Sequence, residues 1–465
     1  MYNSKLEEFK KYIRNKKVAF IGIGASNLPA MKYVNKLGGI VTAFDKREAL
    51  ELDDICIEIE SLGMNMSLGR NYLDNLVGFD LIFRSPSARP DQKEILDEVE
   101  RGAILTSEIE LVMDMCPGKI IGITGSGGKT TTTTLIYEML KAEGKEVFLG
   151  GNIGYQLFDK VQDMTEESIV VLELSSFQLM TMEVSPHISV ITSLAPDHLD
   201  VHKSIEEYYD AKKNIFKHQN ENDILVLNYD DPVIRNMRTE AKGKVKFFSG
   251  KEKLTEGIIL DDNKIKIAQN RIRKHIVNVQ DIKMLGKFNY MNLCAAMIAL
   301  EGIVSFETMQ KVAMEFPGVE HRMEIICEKN GITYVNNSIA SSPIKAMACL
   351  ESFEDKVIAI VGGSDKGTEF NDFAKCIIEN AKVVILCGAT KDKIKQAIKE
   401  ELDNIEIPVD LKIIECMKFE DVVKTATENA KIGDYVVLAP GCASFDYFAN
   451  YKERGNLFKK LIDEI

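Results

Sequence analysis

Short runs of β-branched and aliphatic residues alternate along the chain with segments whose apolar positions recur at helical spacing. That alternation predicts strands followed by helices, and so α/β layers built on mostly parallel sheets. Three of the runs end in glycine-rich turns: VAFIGIGASN (18–27), KIIGITGSGGKTT (119–131) and KVIAIVGGSDKGTEF (356–370). Ligands in such sheets sit beyond the carboxyl ends of the strands, so three glycine turns predict three ligand-binding domains. The segment 107–117 links the first unit to the second. EFPGVEHR (315–322) carries Pro and Gly just before a new strand, ITYVNN. The expected domains are therefore 1–110, 111–318 and 319–465.

At 465 residues with 45% hydrophobic and 28% charged side chains, the chain can bury a sizeable core. The 58 basic and 71 acidic residues give a net charge of −13, which argues against broad binding to nucleic acid. No apolar run approaches the ~18 residues of a membrane span, and the amino-terminal stretch MYNSKLEEFKKYIRNKK predicts a surface amphipathic helix instead of a leader. Nine cysteines without a Cys-x-x-Cys pair suggest reduced thiols. The expectation is a cytoplasmic protein that binds small molecules, with no nucleic-acid or membrane partner.

The strongest chemical signal is Gly122-Ile-Thr-Gly125-Ser126-Gly127-Gly128-Lys129-Thr130-Thr131, set between a strand and a helical segment that stops near Gly144. Backbone N–H groups of such a loop, backed by a helix N-terminus, cradle phosphates. Lys129 would reach the β- and γ-phosphates and the Thr130 hydroxyl would bind magnesium. Ile123 stands where the first glycine of the usual spacing belongs, and an ordinary glycine turn followed by lysine is the alternative. Glu173 ends the strand SIVVLE, a position from which an acid can hold a metal beside a phosphate loop. His198 follows the strand ISVITSLA between Asp197 and Asp200, and Lys212 lies fourteen residues beyond it. No role is expected for His187, His202, His218 or His275. The first glycine turn, Gly22-x-Gly24-x-Ser26-Asn27, lacks the third glycine of a dinucleotide fingerprint. Asp45 ends the next strand, where an acid would meet a ribose or base, although a turn without a nucleotide is the competing reading. Cys442 reads as a small buried thiol in preference to a nucleophile.

Taken in order, these residues resemble the Mur ligase family, and within it the glutamate-adding branch, over essentially the whole chain. The resemblance rests on GITGSGGKTT, GGNIG (150–154), ELSSFQL (173–179), DHLDVH with the later AK (197–212), GKFNYMN (286–292), GVEHR (318–322), GGSDKG (362–367), APGCASFD and YKERG (439–455). It implies a Rossmann-like first domain that takes the UDP substrate, a central ATPase domain with a phosphate loop, and a Rossmann-like last domain that takes glutamate. The implied reaction is ATP-dependent: the carboxylate of UDP-N-acetylmuramoyl-L-alanine is phosphorylated, and the glutamate amine attacks the acyl phosphate. The resemblance implies a role in peptidoglycan precursor synthesis, and so in cell shape and division, and the chain is expected to be a monomer. By motif, Lys129 and Thr130 serve the phosphates and magnesium, and Glu173, His198 and Lys212 serve two magnesium ions, Lys212 as a carbamate. Asn289, Asn292 and Arg322 would contact the nucleotide. Ser26, Asn27, Asp45, Lys46 and Asn152 would lie near the UDP-muramoyl substrate, and Ser341, Lys366, Ser444 and Tyr451 would receive glutamate.

Two departures stand out. Many relatives read Asn-Asp-Ser-Lys-Ala-Thr where this chain has Asn336-Asn337-Ser338-Ile339-Ala340-Ser341, so an acid and a cation are absent there. Ser85-Pro86-Ser87 replaces the usual Ser-Pro-Gly. D-glutamate is the expected incoming amino acid; L-glutamate, or a non-catalytic UDP-sugar or nucleotide sensor on the same fold, are the alternatives.

Overall fold

A computed structural model describes residues 3–24, 26–198, 201–365, 367–406 and 409–465. The chain separates into two compact units, Met1–Asn278 with Met291–Val312, and Val279–Tyr290 with Ala313–Ile465.

The first unit contains two sheets. One has five parallel strands in the order Asn65–Leu68, Ile40–Asp45, Lys17–Ile21, Leu81–Arg84, Ile104–Thr106. The other has nine, in the order Ile272–Asn278, Lys264–Gln269, Gly257–Asp261, Lys244–Ser249, Ile224–Asn228, Ile188–Ile191, Lys119–Thr124, Ile169–Glu173, Val147–Gly151. Its last three-stranded ribbon, Gly257–Asn278, pairs antiparallel and the remainder is parallel. In both sheets the strand bearing the glycine turn lies where the chain reverses its direction of travel across the sheet, and this leaves a crevice at its carboxyl end. The predicted amino-terminal helix spans Ser4–Tyr12 and is capped by Asn3, whose side chain accepts from the Leu6 N–H.

One apolar core serves both sheets. Phe158, from the nine-stranded half, meets Phe9, Tyr33 and Phe83 edge-on at 5.8, 5.5 and 6.0 Å. Aromatic pairs at such separations add to the area they bury. The two sheets thus share buried packing within one compact unit.

In the second unit six strands run in the order Glu324–Lys329, Ile332–Asn336, Tyr435–Leu438, Val357–Val361, Ala381–Leu386, Lys412–Glu415, parallel except for the opening hairpin. The third glycine turn follows Val357–Val361 and adjoins the turn after Tyr435–Leu438, since Gly362 N–H donates to the Pro440 carbonyl at 2.8 Å. Each glycine turn therefore belongs to its own sheet. All nine cysteines are free. Among the described residues no helix is long and apolar enough to cross a membrane.

Candidate active site

The phosphate loop is held open by glycine. Gly125 and Gly128 take φ of +152° and +81°, and a Cβ on Gly128 would lie 2.2 Å from Asn292 Oδ1. Helix Lys129–Ala142 starts directly after it. A second wall is built from the end of Ile188–Ile191: Ser126 N–H donates to the Ser193 carbonyl (2.8 Å), Gly127 N–H to Ser193 Oγ (2.9 Å), and Thr192 Oγ1 to the Gly127 carbonyl (2.6 Å). Lys129 folds back along the loop, donating to the carbonyls of Gly125 (2.8 Å) and Ser126 (3.3 Å). Thr130 is half-buried at the helix start and Thr131 is buried.

Glu173, at the tip of its strand, is 3% exposed. Its Oε1 accepts from the Asn152 amide (2.8 Å), and its carbonyl from Asn152 N–H (2.7 Å). Oε2 is buried without a hydrogen-bond partner among the described residues. Asn152 thus fixes Glu173. The ELSSFQL signature forms a capping box: Ser175 Oγ accepts from Gln178 N–H, and Gln178 Oε1 accepts from Ser175 N–H. His198 lies at φ +55°, exposed, with its ring 5.0 Å from Phe177.

Lys212 is 1% exposed on helix Ile205–Lys217. Its amine donates to the Gly125 carbonyl (2.9 Å) and lies 4.7 Å above the Tyr208 ring. Burial, with the charge of Lys129 nearby, brings it down to about 7. Tyr208 also reaches the loop, its hydroxyl 2.8 Å from Ser126 Oγ. Thr130 and Glu173 carry the hard oxygen donors that suit magnesium, and the Glu173 oxygen without a partner among the described residues is free to meet a cation. No preformed cage of three or more His, Cys, Asp or Glu side chains exists among the described residues.

At the five-stranded sheet, an open cleft of about 710 Å³ is lined by the Gly22 turn, Ser26, Asp45, Lys46 and the segment from Ser85 to Arg89. Asn27 is buried and donates to the carbonyls of Ile21 (3.1 Å) and Gly22 (2.9 Å), so it shapes the turn. Asp45 accepts from Ile23 N–H (2.7 Å) and from Arg47 at both oxygens. Burial opposes its charge, but the Arg47 and backbone hydrogen bonds outweigh that and hold the carboxyl below its ordinary range.

In the second unit, Arg454 ties the Ser338 turn to the turn at Cys442 and Ala443. It is 2% exposed; Nε donates to Ser338 Oγ (3.1 Å), Nη2 to the Ser338 carbonyl (2.9 Å), and Nη1 to the carbonyls of Cys442 (3.1 Å) and Ala443 (3.3 Å). Ser338 Oγ donates in turn to the Tyr451 carbonyl (2.7 Å). Tyr451 and the turn leading into buried Ser444 are thereby joined to the Asn336–Ser341 strand end. Ser341 is exposed, and Lys366 lies outside the described residues. Asn337, where relatives carry an acid, accepts from Met323 N–H (3.2 Å) through its side-chain oxygen. Asn289 is buried and donates to the Leu285 carbonyl (2.7 Å), and Arg322 is half-buried in the turn before Glu324–Lys329. Cys442 is buried beside Thr390 Oγ1 (3.3 Å), and burial raises its thiol.

Residues 123–300 match the model of the Mur ligase middle domain, and residues 321–442 that of the Mur ligase glutamate ligase domain. A UDP-N-acetylmuramoylalanine–D-glutamate ligase of Clostridium botulinum is 49% identical, covering 99% of this chain and 100% of that protein. The chain belongs to the Mur ligase family. A second protein of the same description, from Ruminiclostridium cellulolyticum, is 45% identical over the full length of both. Among solved structures, a UDP-N-acetylmuramate–alanine ligase from Thermotoga maritima shares the fold (TM-score 0.58, 19% identity, 97% of this chain and 99% of that one). So does the MurF ligase of the same organism in complex with ADP (TM-score 0.57, 19% identity, 98% and 97%).

Within this Mur ligase several residues at the candidate site carry no expectation from sequence. His202 is buried, with Nε2 3.0 Å from Ser176 Oγ and its ring stacked on Phe177 at 5.3 Å. Its spacing of four from His198 was the available signal. Arg454 and Gly455 lie inside YKERG, and a Cβ on Gly455 would meet His321 Nδ1 at 2.3 Å. That motif is therefore in part a packing requirement.

Proposed function

We propose that the chain joins D-glutamate to the L-alanyl carboxylate of UDP-N-acetylmuramoyl-L-alanine, with cleavage of ATP to ADP and phosphate, as a cytoplasmic step of peptidoglycan precursor synthesis. The observation that carries this reading is full-length similarity of 49% and 45% to two relatives that bear that description.

The loop Gly125–Gly128 and the N-terminus of helix Lys129–Ala142 cradle the phosphates, and Lys129 exchanges its loop carbonyls for phosphate oxygens. A carboxylate oxygen of the muramoyl substrate attacks the γ-phosphorus and ADP departs. The glutamate amine, once deprotonated, attacks the acyl carbon and phosphate departs. Both steps depend on positioning and on charge neutralisation at the transferring group. Thr130, Glu173, His198 and Lys212 would hold magnesium, which supplies that neutralisation when bound. A Lys212 amine brought to about 7 is partly uncharged at neutral pH, the form that captures carbon dioxide. As a carbamate it offers an oxygen donor where an ammonium would repel a cation. Asn289, Asn292 and Arg322 would contact the nucleotide. The cleft beside Ser26 and Lys46 takes the UDP moiety, and Lys366, Ser444 and Tyr451 receive glutamate, on domains 1–110, 111–318 and 319–465.

Purified protein should release phosphate only when ATP, magnesium, the UDP-muramoyl substrate and D-glutamate are all present. Equal release with the UDP-muramoyl substrate omitted would overturn the assignment.

A further inference from the structure

The strand Leu81–Arg84 and the cleft wall that follows it carry two arginines, Arg84 and Arg89, whose side chains leave that sheet. Arg84 is 1% exposed and donates through Nη2 to the Phe177 carbonyl (2.7 Å) and Thr181 Oγ1 (3.3 Å). Arg89 reaches further along the same face. Nε and Nη2 grip Asp91 (2.8 and 3.1 Å), Nη2 and Nη1 grip Glu207 (2.8 and 3.3 Å), and Nη1 donates to the Val201 carbonyl. A guanidinium has five N–H groups, and these five contacts take all of them. Arg89 thus lines the cleft without a donor left over for a substrate. Its partners hold the chain from Val201 to Glu207: Glu207 Oε2 accepts from Lys203 N–H (2.6 Å), lies 3.6 Å from His202 Nδ1, and belongs to the first turn of the helix bearing Lys212.

Between these two anchors stands His198. Its φ of +55° is one a residue with a side chain keeps only when its surroundings impose it. Its carbonyl accepts from Val201 N–H (3.1 Å) and His202 N–H (2.9 Å), and its ring meets Phe177, whose other neighbour is the His202 ring. Arg84 holds the backbone of Phe177, and Arg89 holds that of Val201. Both come from one six-residue stretch, Arg84–Arg89, whose last five residues line the cleft.

We infer that Arg89 is a positioning residue: with Asp91 and Glu207 it braces the His198 segment from the UDP cleft, so that the imidazole is set by the same wall that receives the substrate. The inference rests on the reading of His198 as a magnesium contact. Only its activity readouts depend on that reading.

The test uses the full-length Arg89→Met variant, with Glu207→Gln as a second variant that loosens the same brace from the opposite side. In the ligand-free protein, hydrogen–deuterium exchange of peptides covering 196–203 should speed up by about tenfold or more, while exchange at the phosphate loop stays unchanged. With substrates, kcat should fall by roughly 10- to 100-fold, the range for residues that orient metal ligands, and the free-magnesium midpoint should rise. KM for the UDP-muramoyl substrate should hold steady, and Arg89→Lys should recover part of the loss. Unchanged exchange at 196–203 in a folded variant would overturn the brace. A higher KM for the UDP-muramoyl substrate with unaltered kcat and magnesium midpoint would also overturn it, by making Arg89 a substrate contact. Wild-type protein without turnover would refute the catalytic reading, and the exchange measurement would still decide the brace.

Discussion

Lys129 and Lys212 donate to one and the same carbonyl, that of Gly125, at 2.8 and 2.9 Å. Burial, and after it the charge of Lys129, work against the Lys212 ammonium, so the buried lysine is the one whose charge gives way. On the proposed reading this is the amine that takes up carbon dioxide. Lys212→Ala should lose activity by about a hundredfold or more, comparable to the removal of a group that stabilises a transition state. Added acetate or propionate should restore part of it by entering the vacated space. Full activity in the untreated variant would remove Lys212 from the chemistry.

Asn152 fixes the Glu173 carboxylate. Asn152→Ala should cut kcat by about 10- to 100-fold, as expected when a ligand loses its orienting partner. The thermal midpoint should shift by only a few degrees. A variant with unaltered kcat and a raised KM for the UDP-muramoyl substrate alone would instead make Asn152 a substrate contact.

Glu108 gives the clearest pH signature. It begins helix Glu108–Met115 and one of its oxygens is buried without a partner among the described residues. Burial lifts its carboxyl from 4.5 to about 7, against hydrogen bonds from Leu157 and Phe158 N–H. The folded state therefore binds one more proton than the unfolded state between these values. This contribution is fully present below pH 4.5, falls as pH rises, and is lost above about 7. Its full size is about 3 kcal/mol. Glu108→Gln should remove that slope and raise the melting temperature at pH 8, as calorimetry from pH 5 to 8 would reveal. An identical pH profile in the variant would contradict the assignment.

Arg454 should resist conservative exchange. Lysine cannot reproduce its fork to Ser338, Cys442 and Ala443, so Arg454→Lys should lower stability by about 2 kcal/mol or more and raise KM for glutamate. Urea unfolding with steady-state kinetics checks both, and an unchanged KM would confine Arg454 to the scaffold.

Local sequence carries the parts of this protein that local backbone chemistry builds. The glycine turns, the strands that precede them and the acid at Glu173 were legible because strand, turn and helix start are contiguous in the chain. Arg84, Arg89 and Arg454 were not, since a long side chain meeting a carbonyl some 100 residues away leaves no spacing to read. Asn152 was legible as a member of GGNIG, but its partner Glu173 is set by the pairing of Val147–Gly151 with Ile169–Glu173. The joined core of the first two sheets was hidden for the same reason: Phe158 looks like any apolar residue until its three ring neighbours, drawn from the other sheet's half, are in place. Asn337 and Ile339 were visible as departures, and the Asn337 contact to Met323 N–H gives the asparagine a packing role.

The most direct measurement is product formation by purified protein with ATP, magnesium and UDP-N-acetylmuramoyl-L-alanine, supplied in parallel with D- or L-glutamate and read by mass spectrometry and phosphate release. The account predicts one phosphate per product and a product equal to substrate plus glutamate less one water, with the D-isomer alone. Turnover confined to L-glutamate, or no product with either isomer from folded protein, would contradict it.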